Sequence, residues 1–193
     1  NKINVALDMV LHPVTPQIAA LVAEVRAETA DADQPTDNQL DAEKWFEKGF
    51  KLSEDKAYSE ATKAFTEAIR LNPQNVVFYL YRGASRSSNG HQDGAIADFT
   101  EAIRLDPQNA VAYFGRGFIR SNGSEYDDAI ADFTEAIHLD SQNASAFFFR
   151  GKIYTEKGDY KSAILDFDEA IRLDPQNARR SRVVPIPRRS RRA

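Results

Sequence analysis

Every 34 residues this chain repeats a thirteen-residue phrase: AFTEAIRLNPQNV at 64–76, DFTEAIRLDPQNA at 98–110, DFTEAIHLDSQNA at 132–144 and DFDEAIRLDPQNA at 166–178. A constant period of this length belongs to arrays of small units, none of which buries its apolar face alone, so that the stacking of neighbours makes the core. The period argues against a fold closed around one catalytic centre. It places function on an extended surface.

Each period holds two helical patterns. In the first, WFEKGFKL (45–52) is followed by a turn near Asp55 and Lys56, then by YSEATKAFTEAIRL (58–71), in which Ala61, Ala64, Phe65, Ala68 and Ile69 fall on one stripe. Asn-Gly at 89–90 and 122–123 and Lys-Gly at 157–158 supply the turns inside the later periods. Pro73, Pro107 and Pro175 stop the second helices, because proline disfavours helix in the residue before it. Asn75, Asn109, Asn143 and Asn177 stand where they cap the helices that follow. The pattern predicts four helical hairpins between residues 42 and 177.

In register, residues 42–75 show Trp45, Gly49, Leu52, Tyr58, Ala61, Phe65, Ala68 and Pro73, and residues 76–109 show Tyr79, Gly83, Ala95, Phe99, Ala102 and Pro107. Residues 110–143 show Tyr113, Gly117, Tyr126, Ala129, Phe133 and Ala136, and residues 144–177 show Phe147, Gly151, Tyr154, Tyr160, Ala163, Phe167, Ala170 and Pro175. With its 34-residue period and the pattern W-x2-L-G-x2-Y, A-x3-F, A, P, the chain resembles a tetratricopeptide repeat protein over about 70% of its length. Small Gly and Ala let two helices approach, and the large aromatic between them fills the remaining space. The expected fold is all-α: a right-handed solenoid of four tetratricopeptide helix-turn-helix repeats (42–75, 76–109, 110–143, 144–177) with an N-terminal helical extension.

Three departures from the pattern stand out. Arg86 and Arg120 occupy a Tyr position, and Ser141 replaces the helix-ending Pro. Arg82, Arg116 and Arg150 precede the packing Gly where Leu is usual, and each of those repeats carries Asp98, Asp132 or Asp166 just before its packing Phe. The first repeat has Lys48 and Ala64 instead, so the Arg and the Asp come and go together. That covariation predicts an ion pair between the two helices of a repeat, since an unpaired buried charge is costly. The competing reading is an Arg ladder for an acidic ligand.

Resemblance to this family implies that the first helix of each repeat lines a concave face, with repeat positions two, five, nine and twelve turned into it. Those positions are Glu43, Phe46, Phe50 and Ser53; Val77, Leu80, Ala84 and Ser87; Val111, Phe114, Phe118 and Ser121; and Ser145, Phe148, Lys152 and Thr155. The resulting expectation is a groove for a protein or peptide, lined by Phe46, Phe50, Leu80, Phe114, Phe118, Phe148 and Lys152. Its occupant would be a helical or extended apolar segment of a partner, with Phe114, Phe118 and Phe148 forming an open central patch. Members that clamp chaperone C-terminal carboxylates use Lys, Asn and Arg at such places, where this chain has Phe46, Phe50, Leu80, Ala84 and Phe114. A chaperone tail is therefore not the expected ligand.

Outside the repeats, PQIAALVAEVRAETA (16–30) reads as an amphipathic helix with Ile18, Leu21, Val22 and Val25 on one side, suited to cap the first repeat or to lie in a groove. Ile3, Leu7, Val10 and Leu11 suggest a shorter helix before it, and 31–41 reads as an acidic linker. The tail at 178–193, ARRSRVVPIPRRSRRA, holds 7 of the 25 basic residues and no acidic one, which leaves the rest of the chain with 18 basic against 29 acidic side chains. A basic tail on an acidic body gives the alternative function, nucleic-acid or acidic-surface binding, but the Arg cluster lacks interleaved aromatics. Pro185 interrupts a fifth helix and leaves the last apolar face uncapped, so self-association through that end or the N-terminal helix is a further expectation.

Chemistry is sparsely written. With no cysteine, disulfides, thiolate zinc sites and thiol nucleophiles are excluded, and His12, His91 and His138 lie in unrelated contexts without ligand spacing. No phosphate-binding glycine loop or nucleophile motif occurs, so neither an enzyme nor a cofactor or metal is expected. No apolar run approaches the roughly 20 residues that span a bilayer, and residues 1–12 are too interrupted by charge for a signal-peptide core, which sets a cytoplasmic expectation and no membrane insertion.

Overall fold

The computed structural model describes residues 37–175. Eight α-helices and no strand run through them in antiparallel pairs: α1 (Asp37–Glu54) with α2 (Tyr58–Leu71), α3 (Val76–Ser88) with α4 (Gln92–Leu105), α5 (Ala110–Asn122) with α6 (Tyr126–Leu139), and α7 (Ala144–Glu156) with α8 (Tyr160–Leu173). The helix α1 begins inside the stretch that reads as a linker, at Asp37. The helices expected at 3–11 and 16–30, the cap at Asn177 and the basic tail lie outside the described residues.

The core is one layer of side chains between the paired helices, repeated along the stack. Phe65, Phe99 and Phe133 are fully buried, one per repeat, each beneath a glycine of the facing helix. A Cβ on Gly49 would sit 2.7 Å from Phe65 Cε1, and one on Gly117 would sit 2.9 Å from Asp132 Cβ, so side chains of one helix rest directly on the glycine backbone of the other. Burying one such Phe stabilises by about 1.5–3 kcal/mol, and the fully buried Ala61, Ala95, Ala129, Ala68, Ala102 and Ala136 keep the approach close enough to do it.

Between pairs, every connection is four residues long. Asn75 Oδ1 accepts from the Val77 N–H, Asn109 Oδ1 from Ala112 and Asn143 Oδ1 from Ala146, the expected caps of α3, α5 and α7. Proline is not what stops the second helix. The helices α4 and α6 both end at Leu, yet Pro107 follows the first and Ser141 the second. In both loops an Asp side chain, Asp106 or Asp140, accepts the backbone N–H of Gln108 or Gln142 and closes the turn.

Within pairs, each first helix ends in the same left-handed turn. The backbone N–H groups of Ala57, His91, Glu125 and Asp159 donate back to Leu52, Arg86, Arg120 and Tyr154, at 2.8–3.0 Å. The residue just before each of those donors has φ between 61° and 85°: Lys56, Gly90, Ser124 and Gly158. Gly90 and Gly158 are the glycines expected there. Gly123 is not, since its φ is −82° and the left-handed position falls on Ser124. A left-handed non-glycine costs roughly 1–2 kcal/mol, part of which glycine's extra chain entropy offsets. Ser124→Gly is therefore expected to raise stability by about 0.5–1 kcal/mol, read as a higher denaturant midpoint, whereas Gly123→Ala should cost less than Gly90→Ala.

Candidate protein-binding face

Successive first helices α1, α3, α5 and α7 touch one another along the stack, and theirs is the line the family resemblance turns inward. The residues assigned to that side divide into two groups. Phe46, Phe50, Val77, Val111, Ser145 and Phe148 are half-buried, and Lys152 and Thr155 are exposed. Leu80, Ala84, Ser87, Phe114 and Phe118 are buried, with Phe114 1% and Phe118 4% exposed. This corrects the expectation of an open patch centred on Phe114 and Phe118, and Leu80 likewise offers no free surface.

The covering residue comes from repeat position six, which the family pattern leaves unspecified. Phe149 of α7 stands edge-on to both Phe114 and Phe118, with ring centroids 5.9 and 5.1 Å away. Tyr81 of α3 does the same to Phe46 and Phe50 at 5.1 and 5.8 Å. Burial pushes the Tyr81 hydroxyl pKa up to about 12, so the side chain acts as a neutral filler. At the middle junction the position is Gly115, where a Cβ would lie 2.5 Å from Phe99 Cε1. There the Phe99 ring of α4 takes the space that a side chain at position six would fill. An aromatic at this place in one repeat stands against the Phe pair of the repeat before it, but the pair beneath Tyr81 stays half-buried where the pair beneath Phe149 is buried.

The ionic groups form clamps on the far side of the same helices. Asp132 is 3% exposed and accepts from Arg116 Nη2 at 2.7 Å and Nε at 3.1 Å, and from Arg120 Nη1 at 2.7 Å. Asp98 receives Arg82 and Arg86 in the same geometry, at 2.7 and 2.9 Å. In the last repeat Asp166 receives Arg150 alone, because Tyr154 stands where the second Arg would be. Hydrogen bonding to Asp166 holds the Arg150 pKa above its ordinary value. The remaining Nη1 of Arg82, Arg116 and Arg150 reaches back to Thr66, Thr100 and Thr134 of the preceding repeat, at 3.4, 3.2 and 3.0 Å. Each guanidinium also lies over an aromatic one turn earlier, Tyr79, Tyr113 or Phe147, at 5.6–5.7 Å. The expected ion pair is present, and the acid-ligand ladder is not, because these guanidinium groups are already engaged. Arg86 and Arg120, which stand in the sequence as separate departures, join Arg82 on Asp98 and Arg116 on Asp132.

Among the described residues no group of three His, Asp or Glu side chains gathers as a metal site, and no helix is long and apolar enough to cross a membrane.

Comparison with known proteins agrees with this geometry. A tetratricopeptide repeat family model matches residues 56–110 and 120–178, and a second model of that description matches 99–131. The Arabidopsis OM64 TPR domain is 32% identical, with 62% of this chain and 98% of that one covered and a TM-score of 0.61. YrrB, described as a TPR protein with an unusual peptide-binding site, is 24% identical, with 70% of each chain covered and a TM-score of 0.63. The first TPR of Spaghetti (RPAP3), bound to the HSP90 peptide SRMEEVD, is also 24% identical, with 62% of this chain and 95% of that one covered and a TM-score of 0.61. No curated protein sequence matches.

Proposed function

The chain belongs to the tetratricopeptide repeat family, and on that premise we propose that it is a protein-interaction scaffold whose inner face receives a helical or extended apolar segment of a partner protein. The observation that carries this reading is the layering of that face. Leu80, Phe114 and Phe118 make a buried floor in the two middle repeats, with half-buried Val77 and Val111 on the same helices and half-buried Phe46, Phe50 and Phe148 in the repeats on either side. A floor packed to interior density holds the exposed ring edges at fixed spacing, so a partner's apolar side chains gain burial without first ordering the receptor. Lys152, whose Nζ lies 5.6 Å from the Phe149 ring centroid, and the exposed Thr155 give the C-terminal end of the face polar handles that set orientation.

Two of the similar proteins are described with peptides, and in RPAP3 the bound peptide ends in acidic residues. The places where clamping members carry Lys, Asn and Arg are apolar here, so the ligand class differs from an acidic C-terminus. Selection of peptides against the full chain from a displayed library tests this. Enrichment of Leu, Ile, Val and Phe at helical or alternating spacing is expected. Phe50→Asp and Phe148→Asp should each weaken a selected peptide roughly 10- to 100-fold, the equivalent of one buried Phe. SRMEEVD should not saturate the site at physiological salt. Enrichment of acidic C-termini, or binding indifferent to both substitutions, would sink the proposal.

A further inference from the structure

The pairs Asn89-Gly90 and Asn122-Gly123 hold a reactive group that the fold itself does not use. The side-chain carbon of an asparagine lies within reach of the next backbone nitrogen, and a following glycine leaves that nitrogen unshielded. The two pairs stand one residue out of register in the period, and their surroundings differ. Asn122 is the last residue of α5, and a Cβ on Gly123 would lie 3.5 Å from both Arg120 O and Glu125 Oε1. Asn89 lies just past the last residue of α3, and a Cβ on Gly90 would meet nothing within 4 Å. Exposed His91 places its Nδ1 3.2 Å from Asn89 Nδ2. His91 and Glu125 hold the same place in successive repeats, so one turn sets an imidazole against the side-chain amide where the other sets a carboxylate against the glycine.

We propose that Asn89 is a site of self-modification, at which its side chain closes onto the Gly90 nitrogen with loss of ammonia and His91 assists the departure. The Gly90 nitrogen gives its proton to solvent and attacks Asn89 Cγ, forming the N–Cγ bond. The Cγ–Nδ2 bond breaks, and Nδ2 leaves as ammonia with a proton from the His91 imidazolium, which solvent restores. Water, the one co-reactant, then opens the five-membered imide at either carbonyl and leaves aspartate or isoaspartate at position 89. At Gly123 the same attack builds negative charge beside the Glu125 carboxylate, which raises its barrier. The Gly90 N–H donates to Ser87 O at 3.0 Å and must be released first, so the reaction is slow and one-way, a clock rather than a switch. Its product adds a negative charge at the C-terminal end of α3, where the helix dipole is already negative. The isoaspartyl form also lengthens the backbone inside a turn that the His91 N–H closes onto Arg86 O at 2.8 Å. Arg86 is one of the two guanidinium groups on Asp98, so the second repeat loosens before the third. This inference is independent of what the inner face binds.

Prolonged incubation of the full chain in neutral buffer, followed by tryptic mass spectrometry, tests it, because peptide 87–104 holds Asn89 and peptide 121–150 holds Asn122. Conversion of amide to acid is expected at least ~10-fold faster at Asn89 than at Asn122. His91→Ala should slow Asn89 several-fold, with hydrogen exchange over 86–95 showing the turn still closed. Glu125→His, which removes the carboxylate and supplies an imidazole, should speed Asn122. The sign separates assistance from simple exposure, since a turn that merely frays reacts faster when His91 is lost. Equal rates at the two sites, a faster Asn122 or an Asn89 that stays intact would overturn the proposal. An unchanged Asn89 rate in His91→Ala with the turn closed would overturn the part given to the imidazole. If that variant opens the turn, Glu125→His decides, and no acceleration at Asn122 overturns the same part.

Discussion

Asp132→Ala is expected to destabilise the array by about 3–5 kcal/mol, because it strands two guanidinium groups that are mostly removed from water. Arg116 and Arg120 are 15% and 22% exposed at their side chains; Arg116 loses its carboxylate partner and Arg120 is left with Glu125 at 3.9 Å. For an array of this size that corresponds to a fall of roughly 10–20 °C in Tm, measured by calorimetry. A companion variant separates the ionic cause from a packing defect. Combining Asp132→Ala with Arg116→Leu and Arg120→Tyr installs the family pattern at the two Arg places and the Ala64 of the first repeat at the third, and replacement of a buried ionic cluster by apolar residues is often neutral or stabilising. The triple variant should recover most of the lost Tm. If it melts as low as Asp132→Ala, the clamp is not what holds the third repeat. Asp166→Ala, which strands one Arg rather than two, should cost less.

The second large effect concerns Phe118. As an open groove residue it would tolerate Asp and lose only its partner. With the side chain 4% exposed and Phe149 edge-on at 5.1 Å, Phe118→Ala is instead expected to cost about 3–5 kcal/mol, and Phe118→Asp more, since the carboxylate would have no partner there. Urea titration followed by far-UV circular dichroism reads this directly. Phe50→Ala, at a half-buried site, should shift the midpoint less. Native stability in Phe118→Ala would return the residue to the open face and restore the wider groove.

These two sites show what kinds of feature a sequence discloses. The Arg–Asp pairing was legible because the two residue types appear together in three repeats and vanish together in the first, a correlation that needs no coordinates. The sharing of Asp132 by Arg120 is equally periodic, 12 residues apart and matched by Arg86 and Asp98, but a departure from the family pattern at one position does not by itself name the partner that compensates it. Asn-Gly at 122–123 points to a turn at Gly123, and the left-handed residue stands one position later, at Ser124. The geometry that decides is the return of the Glu125 N–H to Arg120.

The period, the helix pairing, the asparagine caps and the packed Phe of each repeat follow from the sequence alone. They rest on local rules, helical spacing and capping chemistry, repeated often enough that chance cannot supply them. Which inner positions are floor and which are surface was decided only in three dimensions. Phe114 and Phe118 look the same as Phe46 and Phe50 on a helical wheel, and a ring 31 to 35 residues later stands edge-on to each pair, yet the first pair is buried and the second half-buried. Side-chain burial in a stack is a property of the junction, and the spacing within one helix carries no record of what the next helix brings to it.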